Sequence, residues 1–315
     1  MLWPLARALP HHTHVDFVKY SPIAAILSAI AILVSFGSFY FNGFNLGTDF
    51  QGGTELIVST PGAAPRDQMA AELRRLGLKD VTVKEFGDAH GASLKFEPAA
   101  HDNATKTLAA IEADLSAKVP GIRVQSENVV GPVVSGELFL SGFMALGIAM
   151  ALMLAYIWFR FQLQFGLGAV IGILHDVILT LGLLSLLHVE FAMTSIAALL
   201  TVIGYSMNEK VITFDRLREN LRKFRRTPLA EIINLSENER LSRTLITGST
   251  ALLALGGMLF LGGPALYSLT VAMVFGIIIG TYSSIYVALP VILLWGVNRN
   301  DEEAKPVKFG AASRP

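Results

Sequence analysis

FAMTSIAALLTVIGYSMNEKVITF, residues 191–214, runs directly into DRLRENLRKFRR, residues 215–226. The first part has the length of a bilayer span, for which about 20 helical residues suffice. The second has the basic character that flanks such spans on the cytoplasmic side. The apolar run is interrupted in a regular way: Thr201, Tyr205, Glu209 and Thr213 recur at every fourth position, with Gly204 and Asn208 beside that row. On a helix this spacing makes one polar stripe.

Working outward, apolar runs of similar length occupy 22–41, 138–159, 165–187, 244–263 and 267–296. The expected fold class is therefore a polytopic α-helical membrane protein with six transmembrane helices. Composition agrees. Of 315 residues, 52% are hydrophobic and 16% charged, against about 25% charged in soluble domains, and the mean hydropathy is +0.53. The run at 22–41 lies behind a leader and lacks a small-residue cleavage pattern before Asn42, so it reads as a helix and not a signal peptide. Twenty-five basic and 25 acidic residues balance, which gives no reason to expect nucleic acid as a partner. There is no cysteine, which excludes disulfides, thiolate metal sites and thiol nucleophiles.

Lys and Arg in short loops set orientation. Nine of them fall between Lys210 and Arg243, so this connection is expected in the cytoplasm. The connections 188–190 and 262–266 carry none, while Arg160 and the tail with Arg299, Lys305, Lys308 and Arg314 share the basic side. Both termini, 1–21 and 297–315, then face the cytoplasm, and 42–137 is a translocated domain on the opposite face. The connection 215–243 begins as a basic amphipathic stretch suited to anionic lipid, where each basic residue gains roughly 1 kcal/mol.

Within 42–137, strands are expected at Thr54–Ser59, Asp80–Phe86, Ser93–Glu97 and Gly121–Glu127, and helices at Ala64–Leu76 and Asn103–Lys118, with Leu108, Ile111 and Leu115 spaced for one helical face. The order β-α-β-β-α-β fits a ferredoxin-like α+β domain with both helices on one side of an antiparallel sheet. No His, Asp and Glu cluster there has metal-ligand spacing, which points to a binding or mechanical module.

Ionisable residues within spans are functional candidates, because each is costly unless paired, hydrated or neutralised. Glu209 leads. Its structural alternative is snorkelling to the headgroups with Lys210, Asp215 and Arg216. His175 and Asp176 lie near the middle of the third span, with either a proton-handling role or a structural role in bonding a neighbouring helix. Arg243 precedes the fifth span, as a charge partner for Glu209 or Asp176. Gly168-xxx-Gly172 and Gly276-xxx-Gly280 read as close helix contacts.

FNLGTDFQGGTEL (44–56), VGPVVSGEL (130–138), LHDVILTLG (174–182), VIGYSMNEKVITFDRLREN (202–220) and GIIIGTYSSIYVALPVILL (276–294) together resemble the SecF family, smaller subunits of the bacterial SecDF complex. That family is similar in fold to the resistance-nodulation-division transporters. The resemblance implies a multi-pass inner-membrane protein, not an enzyme, which works with SecD and uses inward proton flow to complete preprotein translocation. Translocation would finish on the periplasmic side of the SecYEG channel, with SecA acting upstream and YajC as a further partner. It implies no cofactor, the proton being the coupling ion.

Where the family has Asn-Asp-Thr, this chain has Asn208, Glu209 and Lys210, so Glu209 stands for the proton-carrying Asp. Glu keeps a titratable carboxyl with a similar ordinary pKa, about one methylene further out. Alternatively, the SecD partner's carboxylate does the coupling and Glu209 is passive. Arg243 in LSRT matches the family's Arg at the start of the fifth helix. The implied proton pathway is Glu209, Arg243 and Asp176, supported by Asn208, Tyr205, Thr201, Thr213 and Asp215. A second reading is half of a proton-coupled small-solute exporter of the same superfamily. Enzyme chemistry has no support: there is no cysteine, no helix-borne HExxH and no GxS elbow with a matching base near it.

Overall fold

Helix α1 (Phe17–Phe41) is built inside out for water: Ile23, Ile26, Ile30, Leu33 and Phe36 are exposed, while Ala24, Ser28, Ser35 and Ser38 are buried. In lipid this polarity is the favourable one, because small and polar residues let helices approach and bond while apolar side chains meet acyl chains. The computed structural model describes residues 13–97 and 104–297. The tail basic residues and most of the expected cytoplasmic N-terminus lie outside the described residues, as does Asn103.

After α1 come a short turn of helix α2 (Thr48–Gln51), strand β1 (Gly53–Ser59), α3 (Arg66–Arg75), β2 (Lys79–Phe86), β3 (Asp88–Glu97), α4 (Ala104–Lys118) and β4 (Arg123–Val130). Long helices follow: α5 (Pro132–Arg160), α6 (Leu163–Leu186), α7 (Met193–Lys223) and α8 (Leu229–Leu261). Last come α9 (Tyr267–Ser283), a π turn over Ser284–Ala288, and α10 (Leu289–Trp295). Among the described residues, five helical stretches are long and apolar enough to cross a membrane: α1, Val133–Arg160, α6, α8 and Tyr267–Trp295. The helix with the polar stripe, α7, is less apolar because it carries Asn208, Glu209 and Lys210 in its middle, yet it lies at the centre of the bundle with Ile196, Leu199, Val202, Ile203 and Phe214 buried.

The small domain has one four-stranded sheet in the order β2-β3-β1-β4, every neighbouring pair antiparallel. Along β1 burial alternates, with Thr54, Leu56 and Val58 turned inward as a half-buried strand requires. Met69 and Leu73 of α3 and Leu108, Ile111 and Leu115 of α4 cover the same core. Strand β3 begins five residues before the stretch expected from sequence, because Gly87 at φ 83° makes a tight hairpin that pairs Phe86 with Asp88. Gly52 and Gly53, at φ 77° and 103°, turn the chain from α2 into β1. A Cβ on Gly53 would lie 3.0 Å from the Phe96 carbonyl oxygen, so both conformation and space favour glycine here.

The domain is stitched to the bundle through this same segment. Phe191 N–H donates to Asn45 O (2.8 Å), Gly47 N–H to Phe191 O (2.9 Å), and Lys95 pairs with Glu190 at 2.6 Å. Asp49 accepts from Met193 N–H at 2.9 Å. Its carboxylate thus caps the start of α7, where orphan N–H groups and the helix dipole favour negative charge.

The basic stretch 215–223 is not a separate surface helix. It continues α7 without a break, and α8 likewise begins at Leu229, well before its apolar run. At the same end Asn234 and Asn238 of α8 hold the residues leading into α1: Val15 N–H donates to Asn238 Oδ1 (2.8 Å), Asn238 Nδ2 to Val15 O (2.8 Å), and Val18 N–H to Asn234 Oδ1 (3.0 Å).

Candidate functional site

Consecutive residues on a helix point about 100° apart, and Glu209 and Lys210 use that angle to face two different neighbours of α7. Lys210 turns toward α6. Its ammonium, fully buried, donates to Asp176 Oδ2 (3.0 Å), Ser206 Oγ (2.5 Å) and Ser283 Oγ (2.9 Å), which uses all three donors. Asp176 also accepts from Ser206 and Ser283 at 2.5 and 2.7 Å, and its other oxygen lies 2.9 Å from His175 Nδ1. His175 Nε2 continues to Ser28 of α1 (3.1 Å), and Ser28 to the Tyr282 hydroxyl (2.9 Å). The lysine stem lies against Gly172, whose missing Cβ leaves the space it fills.

Glu209 turns toward α8. Its Oε2 accepts from Arg240 Nη1 (3.2 Å) and from Thr244 Oγ1 (3.1 Å). Arg240 donates through Nε to both oxygens of Glu237 (2.8 and 2.9 Å), through Nη1 to Thr244 (2.8 Å), and through Nη2 to Ser284 (3.0 Å). Glu209, Glu237 and Arg240 are 1%, 0% and 4% exposed, so neither carboxylate reaches the headgroups. Buried ions need partners of this quality to offset lost hydration.

The two clusters share the last helix. Ser283 closes α9 and serves Lys210 and Asp176; Ser284 opens the π turn and serves Arg240. Wide turns of this kind recur at functional sites in helices. The two glycine pairs make close contacts: Gly168 meets the Ala288 carbonyl, Gly276 meets Val202 and Gly280 meets Ser206, so α9 approaches α7 closely enough for its serine to reach the lysine.

The residues singled out in the sequence are distributed as follows. Glu209 is in the α7–α8 cluster, and Thr213 sits one turn below, donating to the Glu209 carbonyl at 2.8 Å. Tyr205 is half-buried one turn above. Asp176 belongs to the other cluster and bonds Lys210, not Glu209. Thr201 and Asn208 are exposed on the outer face of α7, and Asp215 is exposed and pairs with Arg160 at 2.9 Å.

Arg243, expected as the partner of Glu209, is exposed, and Arg240 takes that place. The buried face of α8 runs through Ile233, Glu237, Arg240, Thr244 and Gly248, and Arg243 falls beside it. Arg240, Glu237, Ser206, Ser283 and Ser284 were not singled out. The spacing of Glu237, Arg240 and Thr244 on one face of α8 is the signal that marks them. Among the described residues no group of three or more His, Asp or Glu could hold a metal ion.

Residues 110–298, which include both clusters, match the family model for the C-terminal part of the protein export membrane proteins SecD/SecF, and residues 37–60 match the SecD/SecF GG motif. The chain is 39% identical over 295 residues to protein translocase subunit SecF of Rickettsia felis, covering 93% of this chain and 96% of the relative. It is 38% identical to SecF of Rhodobacter capsulatus over 314 residues, 95% of this chain and 94% of that one. The chain belongs to the SecF family.

SecF chains are membrane components of protein export, not enzymes. The fold is similar to the crystal structure of SecDF, a translocon-associated membrane protein from Thermus thermophilus, with a TM-score of 0.83 at 30% identity over 94% of this chain and 40% of that longer one. A second SecDF structure, in a super-membrane-facing form, matches at TM-score 0.64 and 32% identity over 96% of this chain and 40% of that chain. The SecF glycine motif contains Gly52 and Gly53, the two residues that turn the chain into β1.

Proposed function

We propose that this SecF chain uses the proton gradient to promote completion of preprotein translocation, with Glu209 as its proton-carrying carboxyl. The observation that carries the reading is the buried Glu209–Arg240 pair between two helices of the bundle. Protonating Glu209 removes one of the two carboxylate charges that Arg240 faces and weakens the bond between α7 and α8, which favours a different packing of the two helices. A proton crossing the membrane supplies roughly 2.3 kcal/mol per 100 mV, enough to shift a two-state equilibrium substantially.

In this reading α7 completes a six-span bundle. The domain between α1 and α5 is the ferredoxin-like, split-βαβ module on the periplasmic side, supported by its strand order and the direct bonds between Asn45–Asp49 and the start of α7. Both termini face the cytoplasm of a bacterium with the chain in its inner membrane. SecD is the partner that covers the outer face of α7, where Thr194, Ala197, Thr201 and Asn208 are exposed, small and polar where a lipid-facing helix is apolar. SecYEG is the channel served, after SecA, with YajC as an accessory subunit.

The test is release of a translocating preprotein from vesicles holding this chain with its SecD partner, with and without a proton gradient. Glu209→Gln is expected to abolish the gradient-dependent part while the complex still assembles, and Glu209→Asp to retain it. Equal stimulation in parent and Gln variant overturns the assignment.

A further inference from the structure

The α7–α8 cluster contains two carboxyls and one cation. Glu209 and Glu237 both bond Arg240, at 3.2 Å and 2.7 Å, and all three are buried. The other ammonium nearby, on Lys210, is committed to Asp176, Ser206 and Ser283. Lys210 and Asp176 balance each other as an ion pair, so the ammonium has no uncompensated charge to lend. With both glutamates ionised the site would hold one uncompensated negative charge away from water, and like charges about one partner do not both ionise in such a place.

Among the described residues, the other titratable groups around the pair are tyrosines: Tyr205 of α7 near Glu209, Tyr286 of the π turn near Glu237, and beyond it Tyr282 and Tyr20. Phenols are neutral at pH 7, so none of them balances the charge. Thr244 and Ser284, the other partners of the guanidinium and Glu209, are neutral hydroxyls.

We propose that Glu209 and Glu237 are a one-proton pair: at neutral pH they share a single proton about Arg240, which makes Glu237 the second proton-carrying carboxyl of the site. When the proton sits on Glu209, Arg240 is paired with ionised Glu237; when it moves to Glu237, Glu209 is ionised and takes the guanidinium. One O–H bond breaks as the other forms, and the charge of the cluster is zero throughout. The proton belongs to the pair and not to either residue alone. A bundle whose only acid here was Glu209 would strand Arg240 each time that acid was neutralised. Glu237 removes that penalty by keeping one carboxylate on the guanidinium in both states.

The inference extends the reading of Glu209 as proton carrier, but its test does not depend on translocation. Infrared spectra of the purified chain with its SecD partner, in H2O and D2O at neutral pH, register protonated carboxyls directly. The parent is expected to show a protonated-carboxyl band that is lost in Glu237→Gln and equally lost in Glu209→Gln, because the remaining glutamate then pairs alone with Arg240 and ionises. Glu237→Asp is expected to keep the band. A band that survives in Glu237→Gln, or no such band in the parent, overturns the proposal. If Glu237→Gln does not fold, Glu209→Gln keeps the proposal falsifiable, since a band that persists there belongs to an independently protonated Glu237 and overturns it. Should the bands behave as expected while preprotein release ignores the gradient, the one-proton pair stands and the proton-driven function fails.

Discussion

Replacing Lys210 by Met removes one charge from the most buried ion pair in the bundle and leaves the hydrocarbon stem in place. At 3.0 Å the attraction between the ammonium and Asp176 is about 5.5 kcal/mol at an effective dielectric of about 20. Taking each ion out of water costs several kcal/mol, so the intact pair nearly cancels against its own desolvation. The variant keeps the desolvation of Asp176 and loses the attraction. A loss of about 3–5 kcal/mol is expected, and Asp176→Asn, which strands Lys210, is expected to cost a similar amount. The double variant, neutral at both positions, should regain most of it.

The measurement is reversible unfolding in mixed micelles followed by tryptophan emission, with the four proteins compared as a double-mutant cycle. Lys210→Met should recover stability in acid, where protonation of Asp176 removes the stranded charge. Losses that simply add, or a double variant no better than its worse parent, would refute the account of Lys210 as a charge-balancing residue.

Three further outcomes follow from contacts described above. Gly172→Ala places a methyl against the Lys210 stem and is expected to cost about 1–3 kcal/mol, as overpacking in a filled interior does; the same unfolding assay reads it. Asn238→Ala removes the reciprocal bonds to Val15 and should speed amide exchange and proteolysis around residues 13–16 without altering preprotein release. In the small domain, the Arg75 hydrogen bond holds the Glu72 carboxyl below its ordinary value of 4.5, so its contribution is complete above that value and is lost as acid protonates it. Protection of the α3 amides, taken as their exchange rate relative to the intrinsic rate at each pH, should fall less steeply from about pH 6 to about pH 3 in Glu72→Gln than in the parent.

The polar stripe of α7 was legible because fourfold spacing on a helix is a one-dimensional pattern, and Glu209 stands out in it. What the residues opposite would be was not, since that depends on which helix packs on which side. Glu209 and Lys210 illustrate the difference: adjacent in sequence, they belong to separate clusters because 100° of rotation sends them to α8 and α6. The choice between Arg240 and Arg243 had the same character, a matter of 60° around α8 that is settled only by where its buried face lies. The alternation in β1 and the apolar spacing in α4 placed the domain's core residues in advance, whereas the pairing of Phe86 with Asp88 needed the backbone of Gly87. The clamp of Asn234 and Asn238 on the N-terminal segment had no signal at all, because two asparagines on a helix face look like any solvated pair.

The π turn at Ser284–Ala288 adds one residue to a turn of helix, and that residue sets the angular register of everything beyond it. Leu289 and Ile292, both buried, reach the core only because of this offset; closing the turn to an ordinary helix would swing them by about 100°. Ser283 and Ser284 sit at the start of the offset, each gripping a different set of ions. The last span is therefore a shared axle: a rotation about its axis displaces both hydroxyls together, so the hydrogen bonds to Lys210 and to Arg240 are geometrically linked.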